Sequence, residues 1–189
     1  SYVVVFKTEL IADASEAGIL SKRSDHPGYQ LYIMKNTGKT HSYLGQPASS
    51  YSAPNAYRAV ATDEVNDGQL HIVMGTFDRD SSNIMYQNGL EKGEKNISTI
   101  TNSETSETDY PLEIGHEFFD RYTSKYYFDG AIADILFFNR VLTSTDQFKV
   151  SEYLARKWAR SSFVDSDQDG IKDDSDPTPT GLITELRFA

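Results

Sequence analysis

An all-β sandwich closed by a single helix is the fold class that this 189-residue sequence predicts, and three observations predict it. Aromatic residues reach 12%, with 12 Tyr and 10 Phe, the composition of half-buried pleated surfaces. Short apolar runs rich in β-branched residues alternate with polar turn segments at the spacing of sandwich strands. Asn88-Gly89 then follows Ile84-Met85-Tyr86, and both central positions of a type I′ turn require the positive φ that Asn and Gly tolerate best.

In order, the strands fall at Tyr2–Lys7, Gly18–Lys22, Tyr29–Met34, His41–Leu44, Tyr57–Ala61, Gln69–Phe77, Asn83–Gln87, Leu112–Gly115 and Ala131–Phe138. The polar connection Asp78–Asn83 joins two of these into an antiparallel pair, Gln69 to Gln87, in which Gly75 is read as a bulge. From Lys95 to Asp109, Ser, Thr, Asn and Glu crowd out apolar groups, which predicts an exposed loop or edge. Helix character appears once: Thr143 with Asp146 three residues on forms a capping box with Asp in place of Glu. Val150, Tyr153, Leu154 and Trp158 recur there at helical spacing, and Arg156, Lys157 and Arg160 fall near the electronegative end. The sandwich and its helix occupy residues 1–160, an acidic segment 161–180, and a tail 181–189 whose Leu182, Ile183, Leu186 and Phe188 suit a short strand.

Charge and composition remove several function classes. A formal net charge of −10 opposes phosphate recognition, so nucleic acid is not an expected partner. The absence of cysteine removes disulfides, thiolate metal sites and cysteine nucleophiles together. No apolar stretch approaches the ~20 residues of a bilayer span, and no basic-then-apolar leader opens the chain, so membrane insertion is not expected. His26, His41, His71 and His116 are scattered without metal-ligand spacing, and His71 is expected to be a hydrogen-bonded structural residue.

The strongest chemical pattern is Asp165-Ser166-Asp167-Gln168-Asp169-Gly170-Ile171-Lys172-Asp173-Asp174-Ser175-Asp176. Aspartates take the first, third, fifth, ninth and twelfth places, and glycine the sixth. A hard cation needs six to eight oxygens, and this spacing wraps a loop around one, with the Ile171 carbonyl as a further ligand. Ca2+ is therefore the expected cofactor, held by Asp165, Asp167, Asp169, Ile171, Asp173 and Asp176. Asp in place of the usual bidentate Glu at the twelfth place suits a structural site, in which the metal folds an otherwise repulsive loop. Asp165 through Pro177 resembles a thrombospondin type 3 calcium repeat; the resemblance implies calcium and an extracellular location.

A second resemblance spans about 140 residues. Gly18–Lys22, Gly28–Ile33, the Asp67-Gly68-Gln69-Leu70-His71 segment running on to Asp78, Met85-Tyr86-Gln87-Asn88-Gly89, Pro111–Gly115 and Phe128–Leu142 follow in the order of the laminin G-like, concanavalin A-like lectin/glucanase superfamily. Glu152–Trp158 is similar to the closing helix of its bacterial branch. This resemblance implies an antiparallel jelly-roll β-sandwich. Two departures stand out: Ser1–Lys7 is similar to an inner strand of that fold, so a first strand is missing and its edge awaits cover from Leu182–Phe188 or another chain; and the usual Trp is replaced by Leu70. In laminin G-like domains a rim calcium is often held by acidic groups, for which Asp78, Asp80 and Asp120 are eligible.

Enzymes of that fold set two carboxylates on one strand face. Glu113-Ile114-Gly115-His116-Glu117 places Gly115 where the central partner belongs, and Thr184-Glu185-Leu186-Arg187 is similar to one strand of alginate lyases whose other motifs are absent. No catalytic residues are therefore assigned. Tyr51, Asn55, Tyr57 and Arg58, with His116, Asp120, Arg121 and Tyr122, supply rings that stack on a pyranose and groups that fix its hydroxyls. The alternative for these rings is plain core cover at loop bases. The expected function is a non-catalytic, extracellular, calcium-dependent carbohydrate-binding module of a larger secreted or surface protein. A structural or cell-surface-protein-binding module of a bacterial adhesin is the alternative, ahead of a glycoside hydrolase or polysaccharide lyase.

Overall fold

Three consecutive valines between Tyr2 and Phe6 favour extended backbone, because β-branching restricts χ1 and packs well on a pleat. The resulting strand β1 (Tyr2–Lys7) is buried on both faces. It pairs antiparallel with β12 (Ala131–Phe137) on one side and β6 (His71–Phe77) on the other, so that Val4 lies between Ile135 and Val73. A computed structural model describes residues 1–9, 16–23, 28–45, 57–99, 111–118, 125–162, 164–167 and 169–178. Among them, β7 (Ser82–Gln87) and β8 (Leu90–Asn96) extend the first sheet to the order β12–β1–β6–β7–β8. The second sheet runs β5 (Arg58–Glu64), β4 (Lys39–Gly45), β3 (Gly28–Met34), β2 (Glu16–Arg23), β9 (Glu113–Ile114). A short antiparallel pair, β10 (His116–Phe118) with β11 (Lys125–Tyr127), lies against β2.

Strand alternation sorts these side chains into layers. Tyr2, Val4 and Phe6 meet Leu31, Ile33, Ala59, Ala61 and Met85 between the sheets. The opposite face of the first sheet carries Val3, Val5, Ile72 and Met74, as apolar as the inner one, and a second layer covers it. That layer comes from α1 (Ser144–Lys157), through Leu154 and Ala155, and from Val164 beyond it. Full burial of one such side chain stabilises by about 1.5–3 kcal/mol. The expected capping box starts the helix: the Asp146 amide donates to Thr143 Oγ1 at 3.2 Å while Asp146 Oδ2 accepts from the Thr143 amide at 3.3 Å. Arg140, 2.6 Å from Asp146, holds that carboxyl well below the usual carboxylate range. At the far end Trp158 Nε1 donates to Asp134 Oδ2 at 2.7 Å, and Lys157 pairs with the same oxygen, tying the helix to β12.

The antiparallel sandwich and its helix agree with the sequence reading, and several details differ. Gln69 and Leu70 precede β6 instead of starting it, because Asp67 accepts the Gln69 amide and turns the chain. Gly75 is not a bulge: β1 and β7 pair across it without a shift, and a Cβ there would sit 2.4 Å from the Tyr2 ring, so the missing side chain makes room for that ring. The polar Leu90–Asn96 segment forms edge strand β8, where one face needs no apolar groups, and its neighbour Lys95–Thr99 leaves the sheet only after Asn96. The pair β10–β11 has no three-residue pattern that a sequence reading could register. β1 is an inner strand as expected, and β12 occupies its flank; Leu182–Phe188, considered for that role, lies outside the described residues.

Asn88 and Gly89 both adopt positive φ, 51° and 85°, in the predicted tight turn between β7 and β8. The C-terminal segment docks on this turn: the Asp165 amide donates to the Asn88 carbonyl at 3.2 Å, and a Cβ on Gly89 would stand 2.1 Å from the Asp165 carbonyl oxygen. Gly89→Ala therefore strains the turn and pushes the acidic loop off the sandwich. It is expected to lower stability by about 2–4 kcal/mol in denaturant titration, with C-terminal amides losing exchange protection first.

Candidate functional site

The outer face of the second sheet is built by the same alternation that fills the core. Leu31 and Ile33 point inward, so Gln30 and Tyr32 on β3 point out. The register sets Tyr43 beside Gln30, His41 beside Tyr32, Arg58 beside Tyr43 and Val60 beside His41. An outer sheet face is normally wet, yet here Gln30, Tyr32, His41 and Tyr43 are all buried, Tyr32 to 1% and His41 to 8% exposure. The Tyr32 hydroxyl lies 3.2 Å from His41 Nδ1, with ring centroids 4.9 Å apart. The Arg58 guanidinium sits 5.3 Å from the Tyr32 ring centroid. Arg58 Nε is shielded from water and meets no acceptor among the described residues. Burial, and then the charges of Arg58 and Lys39, lower the His41 pKa to about 4, so the ring is neutral near pH 7. At the β5 side the face opens, where Val60 is 40% exposed and Arg58 half-buried.

Of the residues expected to bind ligand, Arg58 lies on this face. Tyr57 instead packs with Tyr29, Leu44, Phe77 and Ile97, as the core-cover alternative has it. His116 Nδ1 is 3.6 Å from Glu113 Oε2, with its ring centroid 6.0 Å from that of Tyr127. Glu113 thus faces an imidazole across the turn at Gly115. Tyr51, Asn55, Asp120, Arg121 and Tyr122 lie outside the described residues. Gln30, Tyr32, His41 and Tyr43 escaped the sequence reading; the signal was the alternation of polar or aromatic groups with aliphatic ones in Gln30-Leu31-Tyr32-Ile33.

The acidic loop forms a second cluster. Carboxylate oxygens of Asp165, Asp167 and Asp169 lie within 4.8 Å of one another. Gly170, at a φ of 96°, turns the chain where the pattern required, and its amide donates to Asp165 Oδ2 at 3.1 Å. Asp165 is 3% exposed, yet its Oδ1 has no hydrogen-bond partner, and neither has the buried Oδ2 of Asp176. Unsatisfied buried anionic oxygens are costly, and a hard cation is what such a donor set fits. Asp173 accepts from the Ser166 amide at 2.8 Å and from its hydroxyl at 2.7 Å, and burial raises its pKa. Asp176 Oδ1 accepts the Thr178 amide at 2.7 Å. His71 takes the structural place expected of it, with Nε2 2.9 Å from Asp67 Oδ1 and Nδ1 3.3 Å from Asn88 Nδ2. Asp78 and Asp80, eligible for a rim ion, form a turn in which Asp78 Oδ1 accepts the Asp80 amide at 3.2 Å.

A laminin G-type family model of the concanavalin A-like lectin/glucanases superfamily matches residues 7–146, and the chain belongs to that superfamily. No curated protein sequence matches the chain. Similar solved structures include the binding domain of botulinum neurotoxin DC in complex with SialylT (TM-score 0.59, 12% identity, 81% of this chain). The Ruminococcus gnavus IT-sialidase CBM40 is also similar (TM-score 0.55, 18% identity, 79% of this chain and 80% of that one), as is the same module bound to alpha2,3 sialyllactose (TM-score 0.53, 17% identity, 83% and 80%). The chain spans 35% of the botulinum domain it matches. These similarities, each below 20% identity, agree with the family's sandwich fold.

The His41 environment predicts a pH response. Its pKa is about 4 in the folded chain against 6.5 when free, so the unfolded state takes up the proton first and stability falls as pH drops from about 6.5 to about 4, then levels. The expected loss is about 2–3 kcal/mol, measured as the difference between wild type and His41→Gln in denaturant titrations across that range. Parallel pH profiles for the two proteins contradict it.

Proposed function

We propose that this chain is a non-catalytic, extracellular glycan-recognition module of the concanavalin A-like superfamily, with Ca2+ held in its C-terminal loop as a structural ion. The observation that carries the reading is the open β5 edge of the outer sheet face, where Val60 is 40% exposed and Arg58 half-buried beside the polar Tyr32–His41 pair. At that edge a guanidinium can take a sugar's hydroxyls while the aliphatic Val60 side chain meets its apolar face. The similar structures that hold SialylT or sialyllactose support the same reading. A negative chain disfavours nucleic acid, and among the described residues no helix is long and apolar enough to cross a membrane.

Calcium enters through Asp165, Asp167 and Asp169, whose clustered carboxylates repel one another when no cation lies between them. Asp173, Asp176 and the Ile171 carbonyl complete the proposed shell. The ion supplies positive charge that lets this loop stay docked on the Asn88–Gly89 turn. A protein-binding role in an adhesin is the second reading, favoured by a similar structure of botulinum neurotoxin DC in complex with rat synaptotagmin II (TM-score 0.55, 11% identity).

Two measurements test this. Addition of Ca2+ to chelator-treated protein, at 100 times its Kd, is expected to raise Tm by about 5–10 °C, and Asp165→Asn to abolish the rise; an unchanged Tm removes the ion from the loop. Glycan-array binding by the labelled protein, weakened in Arg58→Ala and kept in Tyr153→Ala on the exposed helix face, supports recognition by the sheet face. A silent array with retained binding to cell-surface protein favours the adhesin reading.

A further inference from the structure

We infer that the outer face of β3–β4–β5 selects a carboxylate-bearing sugar, a uronic or sialic acid, by presenting Arg58 as the anion-binding residue. This rests on the glycan reading above and names its substrate class. The chain carries a formal charge of −10, and four described cations are taken up by carboxylates: Lys92 with Asp63, Arg140 with Asp146, Arg156 with Glu152, Lys157 with Asp134. Arg58 has none. Its one described interaction is with the face of Tyr32, which attracts the cation while leaving every N–H free to donate. Nε is shielded from water with no acceptor, so a ligand from solvent meets the terminal Nη groups of this half-buried side chain.

The surroundings reinforce the same polarity. The charges that depress His41 are both cationic, Arg58 and Lys39, and of the two Lys39 also acts on the Asp63 carboxylate. With the imidazole neutral, Tyr32 and His41 remain hydrogen-bonding groups and leave Arg58 as the charged end of the face. A planar guanidinium matches a carboxylate through two parallel N–H···O bonds, a geometry that a point charge does not reproduce. The half-buried position of Arg58, at the open β5 side beside Val60, sets it where a sugar acid reaches it from solvent, while Tyr32 beneath holds the guanidinium in place.

The test is calorimetric titration of the whole chain, with calcium present, against matched pairs: sialyllactose with lactose, and a glucuronate-ended disaccharide with its glucose-ended counterpart. The acidic member of one pair is expected to bind at least tenfold more tightly, and the pair that shows it identifies the acid. Arg58→Gln is expected to erase that preference and leave the neutral sugar within about twofold, with Arg58→Lys intermediate. Equal binding of acidic and neutral sugars, or a preference that survives in Arg58→Gln, overturns the inference while the glycan reading stands; no sugar bound by the wild type overturns both. Should Arg58→Gln fail to fold, the Arg58 Nε–H resonance of the wild type decides: it shifts on adding the acidic sugar and not the neutral one, and a static resonance rejects the inference.

Discussion

Burial of both faces of β1 is the constraint on which the remaining architecture depends. Val4 needs the second sheet over it, and Val3 and Val5 need an equally apolar cover on the other side. An isolated sandwich supplies only the first of these. Helix α1 and Val164 supply the second, which is why the described strands are followed by a helix and a segment that runs back across the sheet. Anchoring follows from the same need: Trp158 and Lys157 share Asp134 on β12, and the Asp165 amide bonds the turn that joins β7 to β8. The acidic loop is therefore continuous with the packing of the first sheet.

Electrostatics divides the molecule into unlike halves. The C-terminal loop concentrates carboxylates to within 4.8 Å and leaves buried oxygens of Asp165 and Asp176 without donors, a negative centre. Across the core, the outer face of the second sheet joins Arg58 to a His41 held neutral by burial and by neighbouring cations. Buried charge of either sign is costly without a partner. The two proposed ligands match these charges, a cation in the loop and an anion at Arg58.

Much of this was legible in the sequence because it depends on local rules. The positive φ of Asn88 and Gly89, the Thr143–Asp146 box and the turn at Gly170 are each dictated by one or two residues. The sheet face was not, because its chemistry arises from pairing: Gln30 meets Tyr43, and Tyr32 meets His41, only when β3 and β4 align in one register. Read alone, Gln30 is a polar residue in a strand and His41 a scattered histidine. β8 escaped notice for a related reason, since an edge strand with one outward face needs few apolar residues. Gly75 shows the reverse error, where a residue that suggested a bulge instead accommodates the Tyr2 ring.

In the proposed arrangement the two ligands lie on opposite sheets, which decides how calcium can matter. The loop covers the outer face of the first sheet through Val164 and the Asn88–Gly89 turn, whereas Arg58 and Tyr32 belong to the outer face of the second. A metal in the loop has the core between it and a sugar on that far face, so it cannot coordinate the sugar's hydroxyls. Its effect on binding passes through stability. By holding the loop and helix over Val3 and Val5 it keeps β1 and β6 in place, and β1 carries the Tyr2, Val4 and Phe6 side chains on which Leu31 and Ile33 of β3 rest. The alternate residues of that same strand, Gln30 and Tyr32, are then fixed by the packing of their neighbours, so calcium sets how much of the chain is competent to bind and leaves the intrinsic affinity of the competent form unchanged.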